Sequence, residues 1–163
     1  MDFDQLAGQV LETWRRHNEI LLLMLAAIPA KGMAAVPAGS RGRTVALQFA
    51  HLDRVRRGWL QYFETGKRPR LPRDDRDNPP AKSELKKMLG ESAKRVEAFL
   101  SECIHTDARP KRFSGHALRW MGYLIAHESH HRGQIALALK QSGLRLPEKV
   151  SMDGLWGRWF AGK

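Results

Sequence analysis

Proline- and glycine-bearing connections divide this chain into four long stretches in which apolar residues recur at three- and four-residue steps, and none of the four alternates as a half-buried strand does. That pattern leaves one economical solution: helices that each bury a stripe against the others, an all-α four-helix bundle. Helix one runs from Asp2, placed to cap it, to about Ile28, where Pro29 stops it; Leu6, Val10, Trp14, Leu21, Met24 and Ile28 form its stripe. Pro29 to Arg43 reads as a long loop. Helix two begins near Thr44 with Val45, Phe49, Leu52, Val55, Trp59, Tyr62 and Phe63 on its apolar face, and Asp53, Arg54, Arg56 and Arg57 mark its wet side. Thr65 to Pro80 is a charged, proline-rich, mobile crossover loop. Helix three, about Ala81 to Ile104, carries Leu85, Leu89, Val96, Phe99 and Cys103 inward and reads as purely structural. Helix four runs from about Ser114, its expected N-cap, to Gln141, with Gly143 as C-cap. The tail from Leu144 to Lys163 holds Leu155, Trp156, Trp159 and Phe160, too apolar to stay in water, and must pack on the bundle or on a partner chain.

A chain of 163 residues suffices for one domain, and a single domain over 1–163 is expected. The net charge of +11 would suit a polyanion, but the basic residues are spread through every segment rather than massed. No nucleic-acid-binding signature accompanies them, so a nucleic-acid partner is not expected. Cys103 is the one cysteine, which excludes an internal disulfide and a multi-cysteine zinc site and fits the reducing cytoplasm. The longest apolar run, Ile20 to Ile28, is too short to span a membrane, and the acidic N-terminus lacks a signal-peptide layout.

The chemistry concentrates in helix four, in Ala126-His127-Glu128-Ser129-His130-His131-Arg132-Gly133-Gln134-Ile135. Residues four apart on a helix are offset by about 40° and one turn, so His127 and His131 can aim their rings at one metal ion. His130 stands about 60° from His127 on the other side and about 100° from His131, outside the sector that Trp120, Leu124, Ile135 and Leu139 define. Glu128 falls near the middle of that apolar sector and therefore needs a cation or hydrogen-bond donors; Arg132, its i+4 neighbour, supplies the simplest account. The His-Glu-x-x-His signature of zinc proteases is set aside on the reading that His130 closes the motif one place early. A third ligand must come from another helix. His51, on the apolar face of helix two, is the first candidate; His17, which reads more simply as a core histidine with a hydrogen bond, is the second. Three neutral imidazoles around Zn²⁺ or Ni²⁺ would leave a position for water or substrate.

Thr44 to Leu52 with Trp59, then Ala126 to Ile135 with Gly143, and the tryptophans of the tail give the chain a resemblance to the DinB/YfiT-like superfamily of four-helix-bundle metalloproteins. The resemblance implies a three-histidine metal site at His51, His127 and His131, with zinc or nickel the expected ion, and a homodimer. It also implies a metal-dependent enzyme, a transferase or isomerase using a small thiol such as bacillithiol, mycothiol or glutathione on an electrophilic substrate. Glu128 would then orient a ligand imidazole from behind. A basic nucleic-acid-binding or stress-associated module is the alternative. Surplus apolar residues on helix one (Leu22, Leu23, Leu25) and helix four (Ile125, Ala136, Leu137), with the tail, are the expected dimer surface.

Overall fold

The structure, a computed structural model, describes residues 2–160. It contains α1 (Phe3–Ala27), a 3₁₀ turn (Ala30–Ala34), α2 (Val45–Thr65), α3 (Lys82–His105), a second 3₁₀ turn (Phe113–Gly115), α4 (Ala117–Gln141), a π-helical segment (Val150–Trp156) and α5 (Gly157–Phe160). No strand occurs among the described residues.

Local chemistry fixes most ends. Asp2 caps α1 in a capping box with Gln5, and Thr44 accepts from the Leu47 N–H at the start of α2. Gly143, at φ +71°, closes α4: the Leu144 N–H donates to Leu139 O at 2.8 Å and the Gly143 N–H to Lys140 O at 3.2 Å, a Schellman motif that needs a left-handed residue there. Ser114 is not the N-cap of α4. It sits at φ 54° inside the preceding turn, and the helix starts only after His116. The connection from Pro29 to Arg43 is likewise not all loop, since Ala30–Ala34 makes a 3₁₀ turn that buries Gly32.

Pairwise contacts give the topology. Lys82 Nζ donates to Ala26 O and Ile28 O at 2.7 Å and Trp14 Nε1 to Ala93 O at 3.0 Å, so α1 and α3 are antiparallel. Arg56 meets Glu128 and Gln48 meets His131, so α2 and α4 are antiparallel too. Arg56 reaches Leu89 while Arg95 reaches Glu64, which makes α2 and α3 parallel. Up, down, down, up is the result, and the α2–α3 connection must return along the length of a helix of 21 residues, about 31 Å. The tail packs back on the bundle against α1.

Two apolar clusters fill the interior. One gathers Leu21, Met24, Phe49, Leu89, Ile135 and their neighbours; the other is aromatic, with Phe63 stacked on Phe99 at 5.2 Å and Trp120 edge-on to both. Between them lies a polar layer that overturns the wet-side assignment of helix two. Arg56 is 0% exposed and so is its partner Glu128. Arg56 Nε and Nη2 donate to the two carboxylate oxygens at 2.7 Å each, Nη1 donates to Asn18 Oδ1 and Leu89 O at 3.0 Å, and the guanidinium lies 4.9 Å from the Trp14 ring centre. His17 Nε2 donates to the same carboxylate at 2.8 Å. One arginine thus contacts all the long helices. Asp53 is buried as well, taking the Arg57 Nε–H at 2.6 Å. Glu128 does not pair with Arg132, whose guanidinium donates to Ser129 Oγ at 2.8 Å.

Desolvating two charges costs several kcal/mol per ion, and only a forked geometry with further hydrogen bonds offsets that. Breaking the pair from one side strands a buried charge. Arg56→Met or Glu128→Leu alone is expected to lower unfolding stability by about 3–5 kcal/mol, whereas the double variant recovers most of the loss; chemical denaturation of the set measures both.

Candidate metal centre

His51 lies two turns into α2, and His127 and His131 occupy successive turns of antiparallel α4. Ring centres are 5.3 Å apart for His51 and His127, 5.0 Å for His51 and His131, and 4.7 Å for His127 and His131, each pair edge-on. One ring nitrogen from each falls within 4.8 Å of the others, and among the described residues no Cys, Asp or Glu joins them. The three histidines singled out in the sequence therefore converge.

The remaining histidines do not. His130 is exposed and shares a 2.8 Å hydrogen bond with Gln134. His17 is the core histidine of the polar layer, and His105 bonds to Ser101 O at 2.7 Å on the surface of α3. Glu128 does not orient a ligand imidazole: both its oxygens face Arg56 and His17. Burial would raise its pKa, but the Arg56 charge and hydrogen bonds, with that from His17, overcome burial and hold it down at about 2.

That placement bears on the zinc-protease motif. The spacing ground for setting it aside fails, because His127-Glu128-Ser129-His130-His131 does fit His-Glu-x-x-His, where x admits any residue. The structure gives a different ground for the same conclusion. A protease uses the glutamate as a general base beside the ion, and here the carboxylate is sealed in the bundle under a guanidinium.

The residue that sequence reasoning missed is Gln48. Buried on α2 three residues before His51, it places Oε1 3.0 Å from His131 Nδ1. An amide oxygen only accepts, so in this pairing Nδ1 carries the proton and Nε2 keeps a lone pair, the tautomer that suits ligation through Nε2. Its signal was a lone amide within the apolar run Val45 to Ala50. Tyr123 stacks on His127 at 5.8 Å and 17°. His51 Nδ1 and His127 Nδ1 are buried without a hydrogen-bond partner.

All three rings are held neutral. Burial lowers the His51 pKa to about 3, helped by Arg43, the other two imidazoles and Arg54. Burial likewise lowers His131 to about 4 and lowers His127, with Glu128 opposing in both cases. Neutral imidazole is the ligating form, so at neutral pH an ion would displace no proton. Three neutral nitrogen donors suit a divalent metal ion.

The model of the DinB family matches residues 2–161, and the chain belongs to that family. No curated protein matches it.

In metal-free protein, His51 and His131 are expected to stay neutral from pH 8 down to pH 5, since both pKa values lie at about 3 to 4. Ring-nitrogen NMR checks this, and midpoints near the ordinary value of about 6.5 would contradict it.

Proposed function

We propose that this DinB-family protein binds a divalent ion, zinc or nickel, through His51, His127 and His131 and is a metal-dependent enzyme acting with a small thiol on an electrophile. The observation that carries the metal reading is the convergence of three neutral imidazoles from α2 and α4, one of them locked in its ligating tautomer by Gln48. Membership of the DinB family supports it. Held by His51, His127 and His131, such an ion would supply Lewis acidity, lowering the pKa of a water or thiol beside it toward neutral pH. The protein's part is to fix the rings. Gln48 sets His131, Tyr123 braces His127, and the Arg56–Glu128 fork holds α4 at the angle that presents both histidines to α2.

Elemental analysis of purified protein is expected to find one ion per chain. His127→Ala or His131→Ala should abolish it, His130→Ala should not, and Gln48→Leu should weaken affinity by about 10–100-fold. Protein that binds no ion at saturating zinc or nickel would contradict the proposal. Turnover of electrophile and thiol panels, compared with the His131→Ala variant, tests the enzymatic part.

A homodimer is part of the same proposal. Phe3, Leu6, Leu118 and Leu137 are exposed on α1 and α4, and in the tail Trp156 is 63% and Phe160 79% exposed. Leu25 is not available to a partner, because it is buried in the core. Covering such a surface releases roughly 25 cal/mol per Å² of apolar area. Light scattering across a dilution series should give twice the chain mass of 18.6 kDa at micromolar concentration; a monomer mass would contradict it.

A further inference from the structure

The groove between α2 and α4 does not end at the histidines. One turn beyond His51 stands Val55, and one turn before His127 stands Tyr123; both line a hollow of about 430 Å³ together with Gly58, Trp59 and Tyr62. Trp59 is edge-on to Tyr123 at 5.9 Å and to Tyr62 at 6.1 Å, so the walls are aromatic faces and edges. Tyr123 stands between the hollow and the three histidines: besides Trp59 its ring packs on Phe113 at 5.4 Å and stacks on His127 at 5.8 Å.

The far rim is basic. Arg68 and Pro69, from the crossover loop, and Arg112, from the connection before α4, complete the lining, and no acidic residue is part of it. Arg112 lies 5.8 Å from the Tyr62 ring centre, and among the described residues neither guanidinium has a carboxylate within ion-pair distance. The loop that carries Arg68 is seated here: a Cβ on Gly58 would lie 3.6 Å from Leu71 and 3.8 Å from Pro69. Aromatic walls with two guanidiniums that no carboxylate compensates, and the histidines one turn beyond Val55 and Tyr123, describe a ligand that is flat, apolar and anionic at a single end.

We propose that this hollow is the substrate groove of the three-histidine centre, and that its ligand class is a small aromatic carboxylate whose acid group lies between Arg68 and Arg112. The role as a substrate groove rests on the metal reading of the preceding subsection; binding of the carboxylate does not. The carboxylate takes charge-assisted hydrogen bonds from the two guanidiniums, the ring fills the space beside Trp59 and Tyr62, and the opposite end of the molecule points toward His127. Guanidinium, unlike an ammonium, suits both tasks at such a rim, pairing in its plane with the acid and lying flat on an aromatic wall.

The probes are 2-naphthoate and its neutral analogue 2-naphthalenemethanol, titrated by calorimetry against the full chain in zinc-loaded and in chelator-treated form. Naphthoate should bind more tightly than the alcohol by about tenfold or more in both forms, the worth of charge-assisted hydrogen bonds. The double variant Arg68→Gln/Arg112→Gln should lose that preference while leaving alcohol affinity and zinc content unchanged. Gly58→Leu, which fills the hollow at a site where a Cβ meets only ordinary contacts, should weaken both probes. A preference that persists in protein unable to bind zinc upholds the carboxylate site and overturns the metal reading, and with it the role as a substrate groove. Equal affinity for acid and alcohol, or no binding of either, overturns the groove. So does a preference that vanishes with chelation or in His127→Ala yet survives the double arginine substitution, because the carboxylate is then bound by the ion.

Discussion

The fork between Arg56 and Glu128 is the constraint on which the bundle turns. A guanidinium that gives two parallel bonds to one carboxylate fixes helix rotation and axial register together, as a single contact between apolar side chains does not. Glu128 is adjacent to His127, and neighbouring residues on a helix diverge by about 100°. Committing the carboxylate to the centre of the bundle therefore swings His127, and His131 a turn later, to the flank where α2 supplies His51. The polar layer that costs desolvation energy in the middle of the core is what aims the three histidines at one another on its edge. Residual fit comes from the two apolar clusters on either side, whose packing excludes water from the pair.

Charge organises the site in a second way. The chain's excess of basic residues is not featureless: Arg43 and Arg54 share Asp74 of the crossover loop at 3.7 and 3.3 Å, and both depress the protonation of His51. One carboxylate against two guanidiniums leaves net positive charge beside three neutral rings. That bias draws anions to the rings and works against a cation there, a cost that the three imidazole lone pairs must offset if an ion is to bind. The Arg68 and Arg112 rim extends the same bias along the groove.

Much of this was legible in the sequence because the relevant signals are periodic. The i, i+4 spacing of His127 and His131, the long helices with their caps at Asp2, Thr44 and Gly143, and the family motifs all survive into the structure. What was not legible depends on partners far away in the chain. Arg56 reads as solvent-facing beside Arg54 and Arg57, yet Leu52, Arg56, Leu60 and Phe63 form the buried stripe of α2, while Val55, Trp59 and Tyr62 on the expected stripe are only half-buried and line the groove. A stripe traced through apolar residues alone passes over a charged residue whose counter-ion lies on another helix. Gln48 escaped for the same reason, since an amide means nothing until its imidazole partner is placed. Glu128 was recognised as needing a cation, but a local rule offers Arg132 before a distant Arg56. Ser114 resembles a cap, but the positive φ at Phe113 and Ser114 belongs to a turn that delays the helix.

The central claim is that three imidazoles and one exchangeable ligand surround the ion. X-ray absorption spectroscopy of the zinc-loaded chain reads that shell directly. The expected spectrum shows about three imidazole nitrogens at roughly 2.0–2.1 Å, with the outer-ring scattering of histidine, and a single oxygen or sulfur donor that changes when a small thiol is added. A shell of oxygen donors without imidazole scattering, or one unchanged by replacing both His51 and His131 with alanine, would contradict it.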